Sequence, residues 1–292
     1  MKVMIGILMV SLLMTGCAMF DRWIPGESNS SYVQNVSDLI SYGVDNNWMN
    51  INPQELGNAL ISDGKCTMTS IEFLGWGQSG YYDNPEPLFD KFDKFIAAMR
   101  ARKIWVLVSI CNGNKGLGKY GDDRKGLDQY KPQLIKVVSY LKSKGPEGII
   151  IQPVGETQDA TGRWFEQYCA QQFVGFKLCW NNNSRPSAAP AGWWTFAYHP
   201  ASTSDKGKAR GITITDHSGI LRQGETNSMD GIQRQLNIGG DLFGYADANK
   251  LESYTKEVLK TKDRGFGHYG FGHKKIDHDT IKAIGRAVSA VR

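Results

Sequence analysis

The sequence predicts an α/β fold, a (β/α)8 barrel formed by one domain behind an N-terminal lead-in segment. Two observations predict it. After residue 64, eight short apolar runs each lead into a polar or aromatic cluster, and most are followed by a stretch with helical spacing. Several of the runs are also apolar on both faces, as strands of a doubly covered parallel sheet must be.

The expected strands are Ser70–Gly75, Ile104–Cys111, Gly148–Gly155, Val174–Trp180, Trp193–Tyr198, Gly211–Asp216, Asp241–Ala246 and Gly265–Phe271. Between them, Phe89, Phe92, Ile96 and Met99 share one helix face, Leu134, Val137, Val138 and Leu141 a second, and Trp164, Phe165, Tyr168 and Cys169 a third. Leu251, Tyr254, Val258 and Leu259 make another, and Ile281, Ile284, Val288 and Val291 close the chain. An open doubly wound sheet fits less well, because no GxGxxG or Walker sequence follows the first strand. Asp38–Asn47 is a further candidate strand. Residues 32–64 are nevertheless read as a helical lead-in covering the barrel's base, since Pro53 to Ile61 has helical spacing and Gly43 to Asn47 resembles a turn.

At 292 residues and 41% hydrophobic composition the chain has ample material for one large core, and no Pro/Gly/Ser linker divides it. Residues 1–16 carry Lys2, an apolar run from Val3 to Met14, then Thr15 and Gly16, the layout of a secretory signal peptide. Met14-Thr15-Gly16-Cys17 resembles a bacterial lipoprotein processing box, which implies lipidation of Cys17, a tether over 17–31 and the barrel domain over 32–292. Ala18 follows Cys17 where Asp would favour inner-membrane retention, so the resemblance implies a Gram-negative outer-membrane lipoprotein facing periplasm or surface. A secreted soluble protein is the alternative.

Cys66, Cys111, Cys169 and Cys179 remain, an even count that suits two disulfides in an oxidising compartment or four buried thiols. No Cys/His spacing points to a metal, and no cofactor motif is present. Net charge is +5, and removing residues 1–16, which contain Lys2 and no acid, leaves +4. Lys and Arg form no stripe of the kind nucleic acids need, and nothing calls for more than a monomer.

Functional side chains of such a barrel sit at the C-terminal ends of its strands. Glu156 follows the run from Gly148 to Gly155, and a carboxyl at the mouth of an apolar barrel has the raised pKa a general acid needs. Asp216 ends a strand three further along, across the mouth from Glu156. Trp76, Asn112, Trp180, Asn181, Tyr198, His199 and His217 fall at or beside strand ends, and such aromatic and amide groups suit the C–H faces and hydroxyls of a glycan. Glu72 lies inside the first strand and becomes a buried acid if it points into the barrel. Gly113 to Gly118 lacks the Lys-Ser or Lys-Thr of a phosphate loop, and His268 and His273 have no standard metal spacing.

An acid after one strand and a second carboxylate three strands later resembles the TIM-barrel glycoside hydrolases of the retaining, cellulase-like clan. Those enzymes carry Asn before the acid/base Glu, where this chain has Gly155, and Glu as nucleophile, where it has Asp216. The resemblance implies cleavage of a glycosidic bond with Glu156 and Asp216 as catalytic residues. Retention and inversion both stay open, because the choice depends on the separation of the carboxyls. Two functions therefore stand at this point: a lipid-anchored glycoside hydrolase acting on a poly- or oligosaccharide, and a non-catalytic glycan-binding or envelope-interaction lipoprotein on the same scaffold.

Overall fold

A computed structural model of the protein describes residues 31–35, 38–45, 47–74, 79–112, 123–155, 160–181, 193–197, 212–215, 219–223, 248–260, 264–268 and 275–292. Parallel strands alternate with helices through β1 (Ile40–Asp45), α1 (Pro53–Ser62), β2 (Met68–Leu74), α2 (Ser79–Asp83), α3 (Phe89–Ala101), β3 (Trp105–Asn112), α4 (Asp123–Ser143), β4 (Ile149–Gly155), α5 (Ala160–Gln172) and β5 (Lys177–Asn181). The remaining described elements are β6 (Trp194–Ala197), β7 (Ile212–Thr215), β8 (Gly219–Gln223), α6 (Ala248–Lys260), β9 (Arg264–His268) and α7 (His278–Val291).

The nine strands are hydrogen-bonded in sequence order, and β1 pairs with β9 to close the ring. Neighbours from β1 to β7 are parallel, as are β9 and β1, whereas β8 runs antiparallel to both β7 and β9. The ring thus differs from the expected one in two strands. Ile40–Asp45 is a strand and not part of a helical lead-in, because β2 and β9 offer it open ladder edges on both sides. Gly219–Gln223, absent from the expected set, forms β8. The expected strand at Asp241–Ala246 lies outside the described residues.

Alternation along each strand divides the apolar residues into two sets. Ile71, Phe73, Val106, Val108, Ile149 and Ile151 join the large cluster with Leu56 and Leu60 of α1, Phe92, Phe95 and Ile96 of α3, Leu134, Val137 and Leu141 of α4 and Phe165 of α5. This is the layer between ring and helices. Leu39, Met68, Trp105, Leu107, Ile150 and Cys179 form a separate cluster inside the ring near the strands' N-terminal ends. Tyr32 and Val33 pack on it from below: the Tyr32 ring lies 4.7 Å from that of Trp105, and Trp105 Nε1–H donates to the Val33 carbonyl at 2.8 Å. Tyr32 and Val33 thus lie against this cluster outside any helix or strand.

Trp48 secures the outer layer. Its ring stacks on Phe73 at 5.6 Å and meets Phe92 and Phe95 edge-on, while its Nε1–H donates to the Glu72 carbonyl at 2.8 Å. Closure of the ring is secured by α7, whose N-cap Asp277 accepts from Thr280 N–H at 3.1 Å and donates its own N–H to the Tyr42 hydroxyl of β1. Arg286 of α7 pairs with Glu252 of α6 at 2.6 Å. Cys66, Cys111, Cys169 and Cys179 are free and buried, so of the two readings of these residues the structure gives the buried thiols. Burial pushes all four thiols upward, which suppresses the reactive thiolate.

Two outcomes follow from this packing. A Cβ on Gly285 of α7 would stand 1.7 Å from the Asp63 carbonyl oxygen at the end of α1, a backbone atom with no rotamer to yield. Gly285→Ala should therefore lower stability by about 3 kcal/mol or more in urea unfolding followed by circular dichroism. Asp93 of α3 is 47% exposed and pairs with Lys144 at 2.6 Å. Burial pushes its carboxyl up, but hydrogen bonds from Lys144 and Tyr140 outweigh that and hold it below the ordinary value. A depressed folded pKa stabilises above the unfolded value and is lost as pH falls through the folded one. Lys144→Met should thus be less stable than the parent at pH 7, with the difference closing as pH falls through the depressed value of the Asp93 carboxyl in parallel urea titrations.

Candidate functional site

Above its apolar floor the interior of the ring changes character. Glu72 of β2, Ser109 of β3 and Gln152 of β4 are paired in register across three adjacent strands, and they are 2%, 4% and 1% exposed. Ser109 and Gln152 each stand two residues beyond Leu107 and Ile150 of the floor, about 7 Å nearer the strands' C-terminal ends. Gln152 Nε2 donates to Ser109 Oγ at 3.1 Å. Gln152 Oε1 is buried with no hydrogen-bond partner. Ser41 and Ser70, also buried, add polar groups to β1 and β2.

A closed barrel normally fills its interior with branched apolar side chains. Here apolar and polar residues share the inner face: Leu107 is followed by Ser109 on β3 and Ile150 by Gln152 on β4, while on β2 Met68 is followed by Ser70, in register with Leu107, and then by Glu72. The local cause is visible in β3 and β4, where a polar residue directly follows Val106-Leu107-Val108 and Ile149-Ile150-Ile151. Chemically the row offers a carboxyl, a hydroxyl and an amide within a water-poor space, where polar contacts are stronger than in water. Two residues beyond Ser109, the Cys111 thiol contacts the Pro153 carbonyl at 3.5 Å and is raised by burial and then by the charges of Glu166 of α5 and Glu72.

Of the residues expected at the strand ends, Asn112 is the last of β3, in register with Gly155 of β4. Trp180 and Asn181 are the last two of β5, in register with Thr195 and Phe196 of β6. Glu156, Asp216, Trp76, Tyr198, His199 and His217 lie outside the described residues, as does Cys17. Glu72 is buried at 2% exposure, on the face of β2 opposite Phe73, the case in which the sequence made it a buried acid. Ser109 and Gln152 were not singled out from the sequence. Their signal was there in the form of an isolated polar residue at matching depth in two consecutive apolar runs. Among the described residues no three His, Cys, Asp or Glu side chains are grouped as metal ligands would be, and no helix is long and apolar enough to cross a membrane.

No family model matches the sequence, and no curated protein matches it. Among solved structures the chain is similar to a glycoside hydrolase family 5 from Bacteroides vulgatus ATCC 8482, at 10% sequence identity and a TM-score of 0.42. The match covers 84% of this chain and 60% of that one. A likeness of that degree carries no argument about chemistry.

The amide–hydroxyl contact makes a direct prediction. Ser109→Ala leaves both polar atoms of the Gln152 amide without partners and should cost about 1–3 kcal/mol in urea unfolding. Adding Gln152→Met in the same chain should restore most of that loss, because removing both partners of a buried hydrogen bond is close to neutral.

Proposed function

We propose that the protein is an exported, lipid-anchored glycoside hydrolase acting on a poly- or oligosaccharide, with Glu156 as proton donor and Asp216 as nucleophile, base or charge stabiliser. One observation carries the reading. β4 and β7, strands of one ring that run the same way, end at Gly155 and Thr215, each immediately before one of the two acids. Two carboxyls carried at one end of such a ring suit attack on a single bond between them.

The scaffold on this reading is a (β/α)8 barrel whose eight parallel strands are β1 to β7 and β9, with β8 an antiparallel addition. Glu156 gives its proton to the glycosidic oxygen as the bond to the anomeric carbon breaks. Asp216 either attacks that carbon or takes a proton from the water that does. Trp76, Asn112, Trp180, Asn181, Tyr198, His199 and His217 contact the sugar, and Cys17 carries the lipid that holds the monomer at the outer membrane. The alternative, glycan binding without turnover, is favoured by Gly155 standing where the clan has Asn.

The test is hydrolysis by the full chain, purified in detergent, on a panel of plant and bacterial polysaccharides. Glu156→Gln should lower turnover roughly 100-fold or more on unactivated substrates, and much less on aryl glycosides whose leaving group needs no proton. Equal turnover of variant and parent on every substrate would remove Glu156 from its role. A parent that binds a glycan and cleaves none selects the alternative.

A further inference from the structure

The fold gathers basic residues that the sequence keeps apart. In a ring of parallel strands the helix-to-strand connections lie at the strands' N-terminal end. Those leading into β2, β3, β4 and β5 bring Lys65, Arg102, Lys103, Lys144 and Lys177 to that end, against the acids Asp63 and Glu147. Glu147 is met by Lys103 at 3.0 Å, and Asp38, before β1, by Arg292 at 3.5 Å. Lys282 and Arg286 of α7 adjoin them, lining with Asp63 and Lys65 an open hollow of about 550 Å³. Lys65 and Lys282 are exposed, and neither forms an ion pair among the described residues. The outer surface of α3, by contrast, mixes both signs, with Asp90, Lys91, Asp93 and Lys94 close together. The basic end also carries Val174, 82% exposed, beside Gly175 (φ 86°) in the turn between α5 and β5. Among the described residues it is the one large apolar side chain left in solvent.

The N-terminal segment meets the ring in the middle of these groups. The Tyr32 ring lies 5.2 Å from Lys103 Nζ, and a Cβ on Gly148, in the connection from α4 to β4, would collide with its hydroxyl. Cys17 precedes Tyr32 by fifteen residues, which span at most about 50 Å. A lipid on Cys17 keeps the basic end within that distance of a bilayer, so its contact with the bilayer becomes intramolecular. Anionic headgroups attract clustered Lys and Arg within a Debye length, and a lipid chain together with a basic patch holds a protein where either alone is marginal. We infer that the N-terminal end of the ring is a docking surface for an anionic phospholipid bilayer, with Lys65 and Lys282 at headgroup phosphates and Val174 at the headgroup boundary. This goes beyond glycan cleavage and rests on the proposed function only for the lipid on Cys17. Docked in this way, the ring turns the C-terminal ends of β4 and β7, which Glu156 and Asp216 follow, away from the membrane.

The test reconstitutes the full chain, purified in detergent, into vesicles of phosphatidylcholine or of phosphatidylcholine and phosphatidylglycerol in equal parts. Lysine acylation by a water-soluble reagent is followed residue by residue with peptide mass spectrometry. Lys65, Lys103 and Lys282 should react roughly threefold or more slowly on the mixed vesicles, while Lys91, Lys94 and Lys136, exposed on α3 and α4, react alike on both. The protection should fade in high salt. In Lys65→Gln/Val174→Asp/Lys282→Gln, which alters three exposed positions, the protection of Lys103 should be lost while the unfolding temperature stays near the parent's. If that variant does not fold, Val174→Asp/Lys282→Gln takes its place with the same expected loss. Equal reactivity of Lys65, Lys103 and Lys282 on the two vesicles would overturn the inference, as would equal protection of all six lysines or undiminished protection of Lys103 in the folded variant. The mass of the chain reads the lipid separately. A Cys17 without lipid overturns the anchor in the proposed function; sedimentation with the mixed vesicles alone then still supports the surface, and sedimentation with both or with neither overturns it. Glycan cleavage by the parent stands or falls apart from all of these results.

Discussion

Trp105 is the side chain on which the interior of the ring rests. It stands at the start of β3, holds Tyr32 against its ring, donates to the Val33 carbonyl and has the Lys177 ammonium 5.5 Å from its centroid. A closed ring of strands has an inside that must be filled, since empty apolar space forfeits dispersion contacts. Trp105 with Met68, Leu107, Ile150 and Cys179 fills the lower level and lets the chain before β1 seal it. With the lower level dry and solid, the level above is free to carry polar groups.

The division of labour between inner and outer faces then explains the rest. The outer face of β2, β3 and β4 is committed to helices through Phe73, Val108 and Ile151, and these positions have no latitude for polar side chains. On the inner face, polar residues stand between the floor and the fully buried Leu74, Cys111 and Val154 two residues beyond them. Glu72, Ser109 and Gln152 are buried among them, and their register pairing follows from the parallel ladders that hold β2, β3 and β4 side by side. Gly285 and the Asp277–Tyr42 contact do the complementary work at the seam, where α7 must lie close enough to α1 and β1 for the ring to shut.

Much of the outer layer was legible from spacing. Leu134, Val137, Val138 and Leu141 were expected to share a face and are all buried against the ring, as are Phe92, Ile96 and Met99. The first strand was not legible. Ile40-Ser41-Tyr42-Gly43-Val44-Asp45 mixes small and polar residues with apolar ones, and Gly43 resembled a turn; its ladder partners are β2 on one side and β9, from the far end of the chain, on the other. β8 was hidden for a related reason, since its antiparallel partners β7 and β9 come from separate parts of the chain and its own five residues, Gly219 to Gln223, carry no strong apolar run. The polar row was half legible: Glu72 stood out by its charge, while Ser109 and Gln152 are ordinary residues until their register is known.

What the sequence by itself determined is the alternation of strand and helix and the apolar stripe of each helix, because both are periodicities of neighbouring residues and need no distant partner. What only the tertiary structure decided is which side of a strand faces inward. Ile149, Ile150 and Ile151 are chemically alike, and nothing local tells the middle one from its neighbours. Pairing with β3 on one side and β5 on the other sets that choice, turns Ile150 to the floor, and places Gln152 beside Ser109 in the hollow of the ring.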